Sequence, residues 1–474
     1  MSSGGWIFDF FNFLIIFYSI FIVSSYIILT IFSIYETNHY LRKNSFINYE
    51  DILSSPLAPS VSIIAPAYNE GATIIENIKS LLTIYYVKYE VIVVNDGSKD
   101  DTLDKIIDAY ELVKVPYAYE RRLETQPVRG IYKSVIPEYK NLVVVDKENG
   151  GKSDALNVGL NVSRSSYISC IDVDCILEED SMLRMVKPFM ERTDKHVIAT
   201  GGVVRIANSC SVESGRISNI KLPDKFLPRV QVMEYIRAFL LARMAWSRLD
   251  GLLIISGAFG MFQREIAMNA GGYDHNTVGE DMELVVRMRK FMQRRNEPYR
   301  VVYIPDPLCW TEAPEDLNIL FKQRNRWTRG NFETLWKHKD IALNPRFGIM
   351  GMISYPYWFV FEWLAPLIEF LGISYFAILA ILGKINWFTF LLFLVSLYSF
   401  SLCFSSFAIY FEERTYHQYK KKRELFILLA TAFFELFFFH PIVTFAAVMG
   451  NIDLIRGKKS WGKMTRKGFD TEPT

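Results

Sequence analysis

Cysteine is scarce and scattered in this chain of 474 residues: Cys170, Cys175, Cys210, Cys309 and Cys403 are the only five. No two form a CxxC pair, so the sequence offers neither a zinc ribbon nor a disulfide framework, and reduced thiols are the reading that remains. An excess of charge of one sign is missing too. Lys and Arg number 53 against 51 Asp and Glu, a net charge of +2, which gives no argument for nucleic acid as a partner. No Lys or Arg precedes Arg42. The chain also lacks internal repeats and low-complexity tracts, which excludes solenoids and disordered linkers.

What is abundant is apolar. Hydrophobic residues make up 50% and aromatics 15%, beside 22% charged residues, and the two populations separate along the chain. Residues 7–35 are almost free of charge and long enough to cross a bilayer, which needs roughly 20 apolar residues. A cleaved signal peptide fits poorly, because a basic leader is missing and the apolar run is too long. Arg42 and Lys43 follow this run, so the positive-inside bias places the next domain in the cytoplasm. Three further apolar segments are expected at 349–382, 385–411 and 425–450. The basic loop Lys420-Lys421-Lys422-Arg423 and the tail beyond Arg456 both favour the cytoplasm. Three full crossings would put the tail outside. Either the last segment is therefore re-entrant, broken at His440-Pro441, or 349–382 holds more than one element. The division expected is a transmembrane helix over 1–40, a cytoplasmic domain over 55–335, membrane or interfacial helices over 345–455 and a basic tail over 456–474.

Between the apolar ends the texture is α/β. Short apolar runs at 61–65, 90–94, 142–145 and 167–171 read as strands, and 72–82 and 153–160 as helices between them, which predicts a mostly parallel sheet. Ligands of such sheets bind beyond the carboxyl ends of the strands. Polar clusters fall at those ends: Asn69-Glu70, Asn95-Asp96-Gly97, Asp146-Lys147 and Asp172-Val173-Asp174.

Asp172 and Asp174, placed on one strand face, suit one hard cation, magnesium or manganese, of the kind that also binds diphosphates. Asp96 can accept hydrogen bonds from a nucleobase or ribose, although Asp-Gly is also a plain turn signal. Asn69 and Glu70 share that ambiguity, with helix capping as the plain role of Glu70. Gly150-Gly151-Lys152-Ser153 lacks the spacing of a triphosphate-binding loop. Lys152 nevertheless precedes a helix, where a cation and free amides can hold an anion; a solvated lysine is the equal alternative. Glu280 and Asp281 open an amphipathic helix over 282–292, as a general base would or as ordinary first-turn acids. Gln323, Arg326 and Trp327 stand at helical spacing on a helix read as ending at Trp327. They offer a diphosphate clamp and a flat platform for a sugar ring, or else an interfacial helix.

In this order the motifs resemble those of the membrane-embedded, processive family 2 glycosyltransferases, which include poly-N-acetylglucosamine, cellulose, chitin and hyaluronan synthases. The resemblance covers nearly the whole chain. It implies a GT-A fold, a Rossmann-like nucleotide-sugar domain, inserted between N-terminal and C-terminal transmembrane helices. Asp96 matches the uridine-contacting aspartate, and Asp172 and Asp174 match the metal and diphosphate motif. Asp281, beside Glu280, matches the catalytic base of a Thr-Glu-Asp signature that here reads Gly279-Glu280-Asp281. Gln323, Arg326 and Trp327 match the Q-x-x-R-W signature, Asn69, Glu70 and Lys152 the nucleotide pocket, and residues 256–260 the acceptor side. A stretch over 110–139 is extra. The implied activity is inverting, processive transfer from a UDP-sugar, best UDP-N-acetylglucosamine, to a growing β-linked polysaccharide at the plasma or inner membrane, with export. The implied cofactor is a divalent cation. The implied partners are the UDP-sugar donor, the glycan acceptor, the bilayer and a small accessory membrane subunit. The alternative is single-sugar transfer to a lipid.

Overall fold

The computed structural model describes residues 5–458 except 48, 192 and 214. Most of the basic tail expected from 456 onward lies outside the described residues. The strands among the described residues are β1 (Val61–Ala67), β2 (Tyr89–Asn95), β3 (Leu112–Lys114), β4 (Val128–Ser134), β5 (Leu142–Lys147), β6 (Tyr167–Ile171), β7 (Ile176–Leu177), β8 (His196–Ile206), β9 (Ser211–Glu213), β10 (Arg216–Asn219), β11 (Phe259–Gln263) and β12 (Tyr299–Thr311). Ten of them make one sheet in the order β3-β4-β5-β2-β1-β6-β11-β8-β12-β7. β1, β2, β5 and β6 are mostly apolar, with Val or Ile in each, and are buried over most of their length. That is the pattern of strands covered on both faces, and these four pair in parallel.

The sheet as a whole is mixed rather than mostly parallel, for three reasons. The 110–139 stretch supplies β4, antiparallel to β5, and β3, antiparallel to β4. β7 pairs antiparallel with β12 at the other edge. β11 runs antiparallel between β6 and β8. The crossover direction reverses between β1 and β6, so the ends of β1, β2 and β6 surround a switch-point crevice.

The helices used below are α1 (Gly5–Asn44), α2 (Ile74–Leu82), α3 (Lys152–Val162), α4 (Phe226–Tyr235), α5 (Glu280–Arg294), α6 (Leu317–Lys337), α7 (Ala365–Ile381), α8 (Trp387–Tyr416), α9 (Lys422–Phe438) and α10 (His440–Ile455). By length and composition, α1 (over Phe10–Asn44) and α8 can cross a membrane. Met350–Trp363 with α7, bent by 42°, and α9 with α10, bent by 45°, raise the number to four if each pair is one span. Both breaks considered from the sequence therefore exist, one at His440-Pro441 and one inside 349–382. A helix of 40 residues is about 60 Å long, twice a hydrocarbon core. The C-terminal part of α1 accordingly packs on the α/β domain: Ser33 Oγ donates to Leu240 O at 2.6 Å and Tyr40 to Asp306 at 2.5 Å. Buried ion pairs tie the domain to the apolar helices, Arg205 to Glu412 of α8 at 2.7 Å and Arg237 to Glu435 of α9.

Candidate active site

The ends of β1 and β2 are held by their own loops. Asn69 has φ +57°. Its amide donates to Ser98 Oγ at 3.0 Å, and its Oδ1 accepts from the Lys99 amide at 2.8 Å. The Glu70 amide donates to Thr102 Oγ1, and its carbonyl accepts from the Thr73 and Ile74 amides that open α2.

Asp96 is buried, and its carboxylate accepts from Lys147, from Asn149 Nδ2 at 3.1 Å and from the amides of Gly150 at 3.0 Å and Gly151 at 2.8 Å. Burial pushes its carboxyl above the usual range, against the opposing pull of Lys147 and the two amides. Lys147 also meets Asp154 Oδ1 at 2.6 Å with no exposure of its own side chain. Asp96 thus organises the glycine loop that leads into α3. A cavity of about 590 Å³ opens beside this loop, lined by residues 121–126 of the extra stretch, Gly150, Asp154 and His275.

Lys152 is not a solvated lysine. It is the first residue of α3 after Gly151, whose φ is +86°, and its Nζ lies 2.6 Å from Asp172 Oδ1 and 3.2 Å from Glu280 Oε1. Burial works to lower its pKa, but Asp172 and Glu280 outweigh burial and hold it above the ordinary lysine value. The strand-end motif and the α5 motif, more than a hundred residues apart, meet at this one ammonium. Glu280 is 4% exposed. Its carboxyl is raised by burial, with Asp281 adding to the effect and Lys152 and Arg326 opposing it. Asp281 is only partly buried. Its Oδ2 accepts from the Gly257 amide at 3.1 Å and its Oδ1 from the Met282 amide at 2.8 Å. Gly257 is itself close packed, since a Cβ there would stand 3.1 Å from Lys152 Nζ.

Asp172 and Asp174 do not sit on a strand. β6 stops at Ile171, and the next residues turn, closed by the Cys175 amide on Asp172 O at 3.0 Å. Strand alternation therefore does not place the two side chains, and the turn does. Asp174 is buried, and Asp172 is half-exposed and held by Lys152. Among the described residues no group of three or more His, Cys, Asp or Glu gathers as for a metal held by protein alone. Two carboxylates are hard oxygen donors and fit a hard cation whose remaining ligands come from a substrate's oxygens.

α6 carries the Gln323-Arg324-Asn325-Arg326-Trp327 motif and does not end at Trp327. It runs on to Lys337, started by Asp316, whose side chain accepts from the Asn318 and Ile319 amides. The continuation has a packing reason. Gly330 meets Gly279 so closely that a Cβ on either would fall within 2.8 Å of the other's backbone. That approach brings Arg326 toward Glu280. Gln323 Oε1 is buried without a hydrogen-bond partner. Trp327 is 42% exposed, and the Arg324 guanidinium lies 4.1 Å from its ring centroid. Arg324 in turn donates to Glu234 of α4 at 2.6 Å.

The structure therefore gathers Lys152, Asp172, Glu280 and Asp281, with Arg326 beside them, while Asn69, Glu70 and Asp96 hold the neighbouring strand ends. Sequence reasoning missed Gly330 and Glu234, while Gly257 falls in the stretch 256–260 and Lys147 in a strand-end cluster that the sequence singles out. Of the two missed, only Gly330, three residues after Trp327, leaves any mark in the sequence.

Residues 62–122 match the family "Glycosyl transferase family 2" and residues 125–330 match "Glycosyltransferase like family 2". The chain is 28% identical over 330 residues to a poly-beta-1,6-N-acetyl-D-glucosamine synthase of Staphylococcus aureus (strain COL). That match spans 69% of this chain and 66% of the relative, just under two thirds of the relative's length. The corresponding synthase of Staphylococcus epidermidis is 25% identical over 400 residues, 82% of this chain and 81% of that one. Among solved structures the fold is similar to a mannosyltransferase from Pyrobaculum calidifontis in complex with GDP-Man and Mn2+. The TM-score is 0.50 and the identity 16%, over 92% of this chain and 99% of that one.

Proposed function

The chain belongs to glycosyltransferase family 2 and has its GT-A fold, and from that premise we propose that it is a membrane-embedded synthase. In this reading it transfers N-acetylglucosamine from UDP-N-acetylglucosamine to the end of a growing β-linked glycan and exports the product. The observation that carries the reading is Lys152, whose ammonium meets both Asp172 and Glu280, one residue of the motif read as donor-side and one of the motif read as base-side. The polymer synthases among the relatives support a glycan acceptor and do not favour single transfer to a lipid.

Asp281 is the group to act as base. It is the accessible carboxylate of its pair, and the Gly257 and Met282 amides fix both its oxygens. It takes the proton of the acceptor hydroxyl as that oxygen bonds to the anomeric carbon. The bond from that carbon to the diphosphate breaks, UDP leaves, and the configuration inverts. Glu280 and Asp172 hold Lys152 in the floor of the pocket, and Arg326 adds a second cation there. Asp174 and Asp172 would hold a divalent cation, which supplies charge neutralisation on the diphosphate leaving group. α1, α8 and the bent pairs would set the catalytic domain on the cytoplasmic face of the membrane.

Purified protein incubated with single radiolabelled UDP-sugars, followed by sizing of the product, tests the reading. It expects label from UDP-N-acetylglucosamine in a polymer. Asp281→Asn should lose about 10²–10⁴ in rate while UDP affinity stays. A labelled lipid of one sugar, or full turnover by the Asn variant, would overturn it.

A further inference from the structure

The residues that hold the proposed base in place lie beyond the five-residue motif of α6. Gln323, Arg326, Gly330, Glu333 and Lys337 follow one another at intervals of three and four and so share one face of the helix. The chain from Asp274 to Glu283 is laid along this face. Lys337 Nζ meets Asp274 Oδ2 at 2.5 Å and Glu283 Oε1 at 2.7 Å. Gly330 is packed on Gly279. Between these points, Glu333 Oε2 accepts two hydrogen bonds, from Thr277 Oγ1 and from the Val278 amide, both at 2.9 Å. Thr277 Oγ1 then accepts from the Gly279 amide at 3.0 Å.

We infer that Glu333 is a positioning residue for the transfer reaction, fixing through Thr277 the loop 277–279 that delivers Glu280 and Asp281 into the pocket. The inference rests on the reading of Asp281 as base. The physical reason is local. Residues 277–279 precede α5, so their amides have no partners inside that helix. Thr277 and Val278 are both buried, and water does not readily replace a lost acceptor there. Gly279 has φ −119° and ψ 50° as the residue before α5, and its lack of a side chain leaves the loop held by hydrogen bonds and by its seat on Gly330. Without the Glu333 carboxylate, the peptide before Glu280 can rotate. A displacement of about 1 Å at a reacting group costs on the order of 10²-fold in rate. Glu333 would touch neither donor nor acceptor, so its loss acts on turnover and not on donor binding.

Glu333→Ala is expected to lower kcat by about 10²-fold with KM for the UDP-sugar and the affinity for UDP unchanged. Glu333→Gln, whose amide oxygen can accept the same two bonds, should recover most of the loss. Thr277→Val leaves α6 untouched and removes only the relay hydroxyl. It should show the same split between kcat and KM at smaller size, and it carries the test if the alanine variant does not fold. Wild-type kcat in both Glu333→Ala and Thr277→Val would overturn the inference. So would a parallel fall in UDP affinity, or a Gln variant as slow as the Ala variant. Asp281→Asn measured alongside separates the two readings. If it is inactive while the Glu333 and Thr277 variants are normal, the positioning role alone fails. If it is fully active, the base assignment fails.

Discussion

Asn325 of α6 donates from Nδ2 to Asp453 Oδ2 of α10 at 3.0 Å. The contact joins the helix of the signature motif to the last apolar helix, although the two residues are 128 positions apart. Gly450 makes it possible, because a Cβ there would stand 2.8 Å from the Asn325 carbonyl. Arg329 completes the seam by donating to the Lys458 carbonyl at 2.7 Å. Asp453→Ala should therefore destabilise the protein by about 1 kcal/mol, the usual net contribution of one hydrogen bond, here a partly buried one. Gly450→Val should do more, since it forces the two backbones apart. Thermal unfolding in detergent reads both, and an unchanged Tm in each would show that the seam contributes nothing.

Acid should loosen the clamp between α5 and α6. Glu283 is fully buried and accepts from His338, Lys337 and Arg287. Burial would raise its carboxyl, but those three partners outweigh burial and hold it below its ordinary 4.5. A carboxyl depressed in the folded state stabilises the protein above its unfolded pKa. The contribution fades as pH falls from about 4.5 through the lower folded value. Asp96 and Glu280 are shifted the opposite way, but they are common to the wild type and a Glu283→Gln variant. The difference between the two proteins thus isolates Glu283. It should be largest at neutral pH and shrink on acidification below pH 4.5. A difference that is flat across that window would remove Glu283 as the acid-sensitive group.

The central strands and the polar clusters at their ends were legible because their causes are local. The runs around Ile63, Val93, Val144 and Cys170 are long, apolar and β-branched, and the polar residues that end them fall where a parallel strand must end. The departures have longer-range causes. Strand alternation misplaced Asp172 and Asp174 because β6 stops one residue earlier in favour of a turn. α6 outruns Trp327 because Gly330 must seat on Gly279, a contact between two distant glycines that no local pattern announces. The ring cover of Trp327 comes from Arg324, inside the motif, but its anchor Glu234 lies on another helix. Asp453 reads in sequence as a lone acid near the end of an apolar run, and only the approach of α10 to α6 gives it a partner.

Chelation should stop turnover. Asp172 and Asp174 offer two hard carboxylates and no third protein ligand among the described residues, so a cation held there depends on the donor's diphosphate. Excess chelator is expected to abolish transfer, and magnesium or manganese to restore it. Asp174→Asn should lose several kcal/mol of transition-state stabilisation, about 10³-fold in rate, and UDP affinity should lose its dependence on added cation. Full activity in excess chelator would refute the metal role.

Trp327 divides chain elongation from single transfer. Its indole is 42% exposed, and the Arg324 guanidinium lies 4.1 Å from the ring centroid, itself held by Glu234 at 2.6 Å. The ring is thus fixed in orientation by a partly buried ion pair while much of it stays exposed. A sugar stacked on such a ring gains about 1 kcal/mol beyond burial, by analogy with aromatic pairs. That gain is enough to favour another addition over release of the acceptor. Trp327→Ala should then shorten or abolish the polymer while UDP affinity is kept, because the proposed donor contacts are Lys152, Asp172 and Asp174. Trp327→Phe should retain part of the chain length, since a ring remains. Arg324→Ala should fall between them, for it frees the indole and leaves Glu234 without its partner. Sizing the product at equal donor turnover makes the comparison. Full-length polymer from Trp327→Ala at the wild-type rate would leave the indole no more than an anchor at the membrane boundary.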